Sequence, residues 1–260
     1  MSRDSLPRYR APQEAAMTEA AVSHSEPKEA FPYRPPSDAL RHRYAAIFAI
    51  DKPLFLRASK VVFDKVAAGS ILLLASPVFL LIKAAYTIEG WLIPENSGPM
   101  FFHYNAVSAG RVIPKYKIRL IKRKYIDAEG AARGDWHAFQ AEWTPSSRTH
   151  TGHFVKKYYL DELPQFFSVL KGDMSLVGPR PLAVHHYERD LAQGNVSRKL
   201  LKGGILGMGH IRKGTSEMGD PSFEYEYIDH YIHYPWWRLL ALDLWIIWRG
   251  IRVVLQGKGL

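Results

Sequence analysis

KKYYLDELPQFFSVLKGDMSLVGPRP, residues 156–181, is the stretch on which the reading of the fold turns. Apolar residues recur at Leu163, Phe166, Phe167 and Leu170, the spacing of one helix face. Asp161 is a good N-cap type, Pro164 is tolerated only in a first turn, and Gly172 fits a helix stop. A short helix is therefore expected to start near Asp161 and end near Gly172. Its start presents free N–H groups that favour an ionised carboxylate or a phosphate. A glycine-punctuated loop follows and ends in an arginine between Pro179 and Pro181. The prolines restrict the backbone on both sides, so little entropy is lost when the Arg180 fork grips a phosphate. Carboxylates such as Asp161 and Glu162 hold a divalent cation or attack phosphorus. The set suggests phosphoryl chemistry on a metal-bound, anionic substrate. For an Asp-Glu pair alone, the commoner explanation is a capped surface helix beside an ordinary proline turn.

LDELPQ followed by KGDMSLVGPRP resembles the signature of the bacterial sugar transferases. These are membrane-monotopic phosphoglycosyl transferases that move a hexose-1-phosphate from a UDP-sugar onto a polyprenyl phosphate. Weaker similarity covers most of residues 60–260. The resemblance implies a covalent route: Asp161 attacks the β-phosphorus, UMP leaves, and undecaprenyl phosphate then attacks the phospho-aspartate. It also implies Mg²⁺ at Asp161 and Glu162, a phosphate on Arg180, and initiation of an exopolysaccharide or related glycan. Lys156 stands where the family favours an arginine, and Tyr158-Tyr159 where it favours Thr-Ser. A lysine meets phosphate as a point charge without the bidentate grip, which points to unusual donor specificity. Lys117-Ile118-Arg119 resembles the family's Lys-Phe-Arg element, giving Lys117 and Arg119 as further phosphate ligands. GGILGMG at 203–209 resembles its Pro-Gly-Ile-Thr-Gly element. Gly214 falls at the downstream arginine's place, and Arg212 or Lys213 would substitute. The alternative is a catalytically silent membrane-bound scaffold or regulator of a polysaccharide assembly machine.

The 260-residue chain carries a formal net charge of +10 and a pI near 9.6. Anionic lipid, nucleotide sugar and nucleic acid all suit that charge. The apolar segment described next argues against a soluble nucleic-acid binder, so no nucleic acid is expected. There is no cysteine, which removes disulfides, thiolate nucleophiles and Cys-zinc sites. His150/His153 and His230/His233 lack an HExxH or Cys-His context for zinc. Residues 1–45 read as a disordered or weakly ordered extension, with a short helix beginning near Leu40. The transferase domain is expected over 46–260. Self-association is left open.

Residues 66–82, VAAGSILLLASPVFLLI, are uncharged between Lys65 and Lys83. At about 1.5 Å per residue they span roughly 25 Å, short of a bilayer core of about 30 Å. Pro77 interrupts the run, and Ser76 is placed to satisfy the carbonyl it frees. Lys52, Arg57, Lys60 and Lys65 precede the segment. A simple span with positive charge inside would then put the C-terminal part outside the cell, away from nucleotide sugars. A re-entrant helix over about 60–88, broken at Ser76-Pro77, removes the conflict, and the resemblance implies the same topology. The expected location is the bacterial inner membrane, with the catalytic domain on the cytoplasmic face. Asp64 with Lys60 would fix the helix at the interface. A plain span and a buried core helix remain as alternatives.

Arg238, Arg249 and Arg252 fall within roughly 60° of one another on a helical wheel of residues 236–255, with Leu240, Ile247, Ile251 and Val254 opposite. This reads as an amphipathic surface helix, on membrane or on protein. The expected fold is α/β but mostly helical: a compact membrane-associated catalytic domain with little sheet.

Overall fold

The computed structural model describes residues 31–126, 128–133, 139–212 and 215–255. Two short helices, α1 (Asp38–Arg43) and α2 (Ala45–Phe48), precede the long α3 (Ala58–Leu92). A hairpin of β1 (Phe101–Ser108) and β2 (Arg111–Ile118) leads to α4 (Ala128–Arg133), α5 (Phe139–Trp143), α6 (His150–Lys157) and α7 (Gln165–Lys171). Then come β3 (Ser175–Val177), β4 (Leu182–Ala183), α8 (Val184–Ala192), α9 (Ser197–Leu200) and β5 (Gly204–Leu206). The helices α10 (Ser222–His233) and α11 (Trp236–Leu255) follow. The architecture is mostly helical α/β, with an antiparallel β2-β1-β4 sheet and a parallel β3-β5 pair.

The hairpin turns on Ala109 and Gly110, with φ of 49° and 70°. Two left-handed residues match the twist of paired strands. Alternation along β2 then sends Ile113, Lys115 and Lys117 to the buried side. Of the basic residues clustered here, Lys115, Lys117 and Arg119 are buried, while Arg123 and Lys124 are exposed.

The described residues begin at 31 and include packed positions ahead of 46. Leu40, Tyr44 and Ile47 are buried, and Tyr44 and Phe48 stack on Tyr225 at 6.1 and 4.4 Å. The short helix expected near Leu40 is there as α1 and α2, and its few apolar side chains join a large core. Residues 1–30 lie outside the described residues.

Helix α3 is 35 residues long, roughly 50 Å at about 1.5 Å per residue. By length and composition it could cross a membrane. The expected break is not a gap in the helix, which runs on through Pro77. Ser76 Oγ donates to Leu73 O at 2.8 Å, replacing the N–H that proline lacks. Its buried residues, Lys60, Asp64, Ala68, Leu72, Ile82, Tyr86 and Glu89, fall on one face. Leu73, Leu74, Leu80, Leu81 and Trp91 are exposed on the other.

Both ends of α3 are tied to the same domain by charged groups. Lys60 Nζ donates to Asp243 Oδ2 at 2.7 Å, and Ser175 Oγ to Asp64 Oδ2 at 2.7 Å. At the far end, Glu89 accepts from the backbone N–H groups of His150 and Thr151 at 2.7 and 2.8 Å. It thereby caps α6 from another element.

Helix α11 is amphipathic, but its buried stripe is Leu239, Asp243, Ile246 and Gly250. Leu240 and Ile247 are only partly buried, and Ile251 is exposed. The rotation follows from the Lys60–Asp243 pair and from Gly250, where a Cβ would meet Leu206 at 2.8 Å. The exposed face carries Trp236, Trp237, Trp245 and Trp248, with Arg238 beside the Trp237 ring, Arg249 beside Trp245 and Arg252 beside Trp248.

Candidate active site

A cavity of about 500 Å³ opens between α5, α6, the residues before α7, and the loops after β3 and β5. Asp161, Glu162, Arg180, Lys117 and Lys156 all line it. The structure therefore gathers five sequence-derived site residues from four separate stretches.

Asp161 is not a helix N-cap. It lies in a 3₁₀ turn, Leu160–Glu162, and α7 begins only after Pro164. The turn is entered through Tyr159, a non-glycine residue at φ 56° and ψ 23°, which costs energy and fixes the chain direction before the carboxylates. Gly172 does end α7, at φ 88°.

Lys117 Nζ lies 3.3 Å from Asp161 Oδ2 and 3.5 Å from Glu142 Oε2, all three side chains buried. Burial opposes the Lys117 charge, but Glu142 and Asp161 outweigh it and hold the ammonium well above its ordinary range. Asp161 Oδ1 is buried and accepts no hydrogen bond. An orphan oxygen on a carboxylate that lines a cavity can meet a metal ion or an electrophile.

Glu162 Oε1 lies 3.2 Å from Arg180 Nη2. Burial would raise the Glu162 carboxyl, but Arg180, with Lys115, Lys117 and His210, drives it well below the carboxylate range. Arg180 Nη1 is 3.3 Å from His210 Nε2. Burial works against the Arg180 charge, and Glu162 more than restores it. Lys156 rests over the Trp143 ring at 5.1 Å, and burial lowers its ammonium despite the pull of Asp161.

Arg119 and Arg212 stand elsewhere. Arg119 donates to the main-chain oxygens of Pro99, Ile121 and Asn96 at 2.9, 2.6 and 2.9 Å. It braces the exit from the hairpin and does not line the cavity. Residues 117 and 119 share a strand face by period, but the strand ends at Ile118, so the two side chains part. Arg212 pairs with Glu217 at 2.6 Å and covers the Phe223 ring, away from the cavity wall. Lys213 lies outside the described residues.

Sequence reasoning missed four contributors. Lys115 is buried beside the Tyr104 ring, within electrostatic reach of Glu162 and Arg180. His210 touches Arg180, and Glu142 holds Lys117. Arg198 is buried, donates to Arg180 O at 3.0 Å, and pairs with Asp190 and Glu224 at 2.7 and 2.6 Å. Alternation with Lys117 could have pointed to Lys115; the other three carry no local pattern.

The donor set suits a hard cation in an open site. Asp161 Oδ1 is unengaged, and Glu162 offers a second carboxylate. No cluster of three or more His, Cys, Asp or Glu occurs among the described residues. Magnesium commonly takes one or two carboxylates and completes its shell with water and substrate phosphates, which this pair permits.

The family described as bacterial sugar transferase matches residues 55–257. A UDP-glucose:undecaprenyl-phosphate glucose-1-phosphate transferase of Klebsiella pneumoniae is 32% identical over 194 residues, covering 74% of this chain and 37% of that protein. A UDP-N-acetylgalactosamine-undecaprenyl-phosphate N-acetylgalactosaminephosphotransferase of Aeromonas hydrophila is 31% identical, covering 72% and 47%. The exopolysaccharide production protein ExoY of Rhizobium meliloti is 29% identical, covering 76% and 85%. The chain thus spans less than half the length of the first two.

Proposed function

The chain belongs to the bacterial sugar transferase family, and on that premise we propose that it moves a sugar-1-phosphate from a UDP-sugar to undecaprenyl phosphate, releasing UMP. The carrying observation is the buried Asp161, which lines a cavity shared with Arg180 and has one oxygen on Lys117 and the other without a hydrogen bond. In the first half-reaction an Asp161 carboxylate oxygen bonds to the donor's β-phosphorus, and the bond to the UMP oxygen breaks. In the second, an oxygen of undecaprenyl phosphate bonds to that phosphorus and frees the carboxylate. Splitting one displacement into two lowers each barrier. Lys117 orients Asp161, and Arg180 grips a phosphate in a fixed fork. Mg²⁺ held by Asp161 and Glu162 would neutralise the diphosphate and stabilise the leaving phosphate.

Membrane attachment on one side is the companion proposal. With both ends of α3 anchored to one domain, the helix dips its exposed apolar face into a single leaflet, and the tryptophans and arginines of α11 sit at the headgroups. The site then faces the cytoplasm. A second cavity, about 250 Å³, opens beside the start of α3 between Leu56, Lys65, Arg111 and Lys202. Its basic rim suits the phosphate of an anionic lipid.

The test is UMP release from a panel of UDP-sugars with undecaprenyl phosphate and Mg²⁺. Release with one donor, dependent on the polyprenyl phosphate, is expected. No release with any donor would leave the scaffold reading.

A further inference from the structure

Residues 31–34 lie outside the family-matched region, which begins at 55, yet they reach the active-site cavity. Pro32 and Tyr33 line it, on the side where Arg180, His186 and Gly219 also contribute. The segment is fastened along its length. Arg34 N donates to Gly219 O at 3.0 Å, and Arg34 Nη2 to Ser216 O at 2.8 Å. The Arg189 guanidinium lies 3.6 Å from the Phe31 ring centroid, and the His186 ring is 5.4 Å away. Gly219 has φ +80°, and a Cβ there would fall 1.9 Å from Pro32 O. Only glycine admits so close a backbone approach at that angle.

Tyr33 connects this strap to the phosphate clamp. Its ring lies 4.2 Å from the Arg198 guanidinium. Arg198 in turn holds the main-chain oxygen of Arg180 at 3.0 Å. The Tyr33 hydroxyl lies within the electrostatic field of Arg180 itself. An aromatic face with a polar tip beside an arginine suits a polar, partly apolar ligand such as a nucleoside diphosphate sugar.

We propose that residues 31–34 form a strap that completes the donor pocket, with Tyr33 contacting the nucleotide sugar beside the diphosphate held by Arg180. This rests on the transferase reading above. The strap acts on donor binding and leaves the chemistry at Asp161 alone. It makes the pocket of this chain differ from one built of the family-matched region only.

Three variants test it in the full chain: Tyr33→Ala, Tyr33→Phe and Gly219→Ala. The last displaces the strap through Pro32 without altering Tyr33. Steady-state UMP release gives KM and kcat for the donor, and calorimetry with UDP gives binding without turnover. Tyr33→Ala and Gly219→Ala are expected to raise the donor KM and the UDP Kd about tenfold, with kcat within threefold of wild type. Tyr33→Phe, which keeps the ring on Arg198, is expected to recover most of the affinity. Unchanged KM and Kd in Tyr33→Ala would overturn the proposal, as would a fall in kcat at unchanged KM, which marks a structural effect carried through Arg198. A wild type that neither releases UMP nor binds UDP overturns the transferase reading first.

Discussion

Arg198 Nε donates to the main-chain oxygen of Arg180 at 3.0 Å, so the backbone of the phosphate clamp hangs from a buried guanidinium. Burial disfavours the Arg198 charge, but Glu224 and Asp190 overcome it. Arg198→Met would leave Asp190 and Glu224 without their cation. Breaking a buried pair costs about 3–5 kcal/mol. The expected outcome is a fall in unfolding free energy of that order in detergent, and a lower UMP release rate per folded molecule. Wild-type stability in the variant would show the network to be dispensable.

Asp161→Asn keeps the side-chain shape and removes the charge paired with Lys117. A rate loss of at least about 10³-fold is expected, equivalent to about 4 kcal/mol in the barrier. The thermal unfolding midpoint should stay close to wild type. Near-normal UMP release from this variant would rule out a covalent aspartate.

Arg180→Lys keeps the charge near Glu162 and loses the planar fork. The donor KM is expected to rise about tenfold, with expression unchanged. Equal rates at low and high UDP-sugar for both proteins would place the clamp on another residue.

Burial, reinforced by the nearby Arg180 charge, lowers the Lys115 ammonium to about 7, against the pull of Glu162 and Asp161. An unfolded lysine titrates near about 10.4. Between those values the unfolded state binds more protons, so stability should rise with pH. Below about 7 both states are charged and the burial penalty is fully present. Wild type should therefore gain stability over Lys115→Met as pH rises from 7 to 10. Parallel curves for the two proteins would show that Lys115 does not titrate in this range.

What the sequence made legible was chemistry packed into one short stretch. Asp161, Glu162 and Arg180 fall within residues 156–181, and the fold brings all three to one cavity. Proline at 77 and serine at 76 were also legible, down to the carbonyl that Ser76 satisfies. What stayed hidden depends on distance in sequence. Glu142 reaches Lys117 from α5, and Arg198 reaches Arg180 from α9. Arg119 looked equivalent to Lys117 because both belong to the Lys-Ile-Arg element, but β2 ends between them at Ile118. Glu89 lies some sixty residues from α6 in sequence, yet it accepts from the first N–H groups of that helix and so docks the end of α3.

That docking bears on how α3 meets the membrane. Lys60 at one end of α3 and Glu89 at the other are both buried against the domain that carries Asp161. A transmembrane crossing would have to free one end, exposing paired charges to lipid. The chain has no cysteine, so single introduced cysteines report without background. Ala45→Cys and His150→Cys should both resist a membrane-impermeant thiol reagent in intact cells and both react once the membrane is opened. Reaction at 45 alone in intact cells would establish a spanning helix. Pro77→Leu removes the ring and restores an N–H toward Leu73 O. If the charged anchors set the topology, position 45 stays protected in that variant. If 45 then becomes reactive in intact cells, the proline sets it and the anchors are secondary.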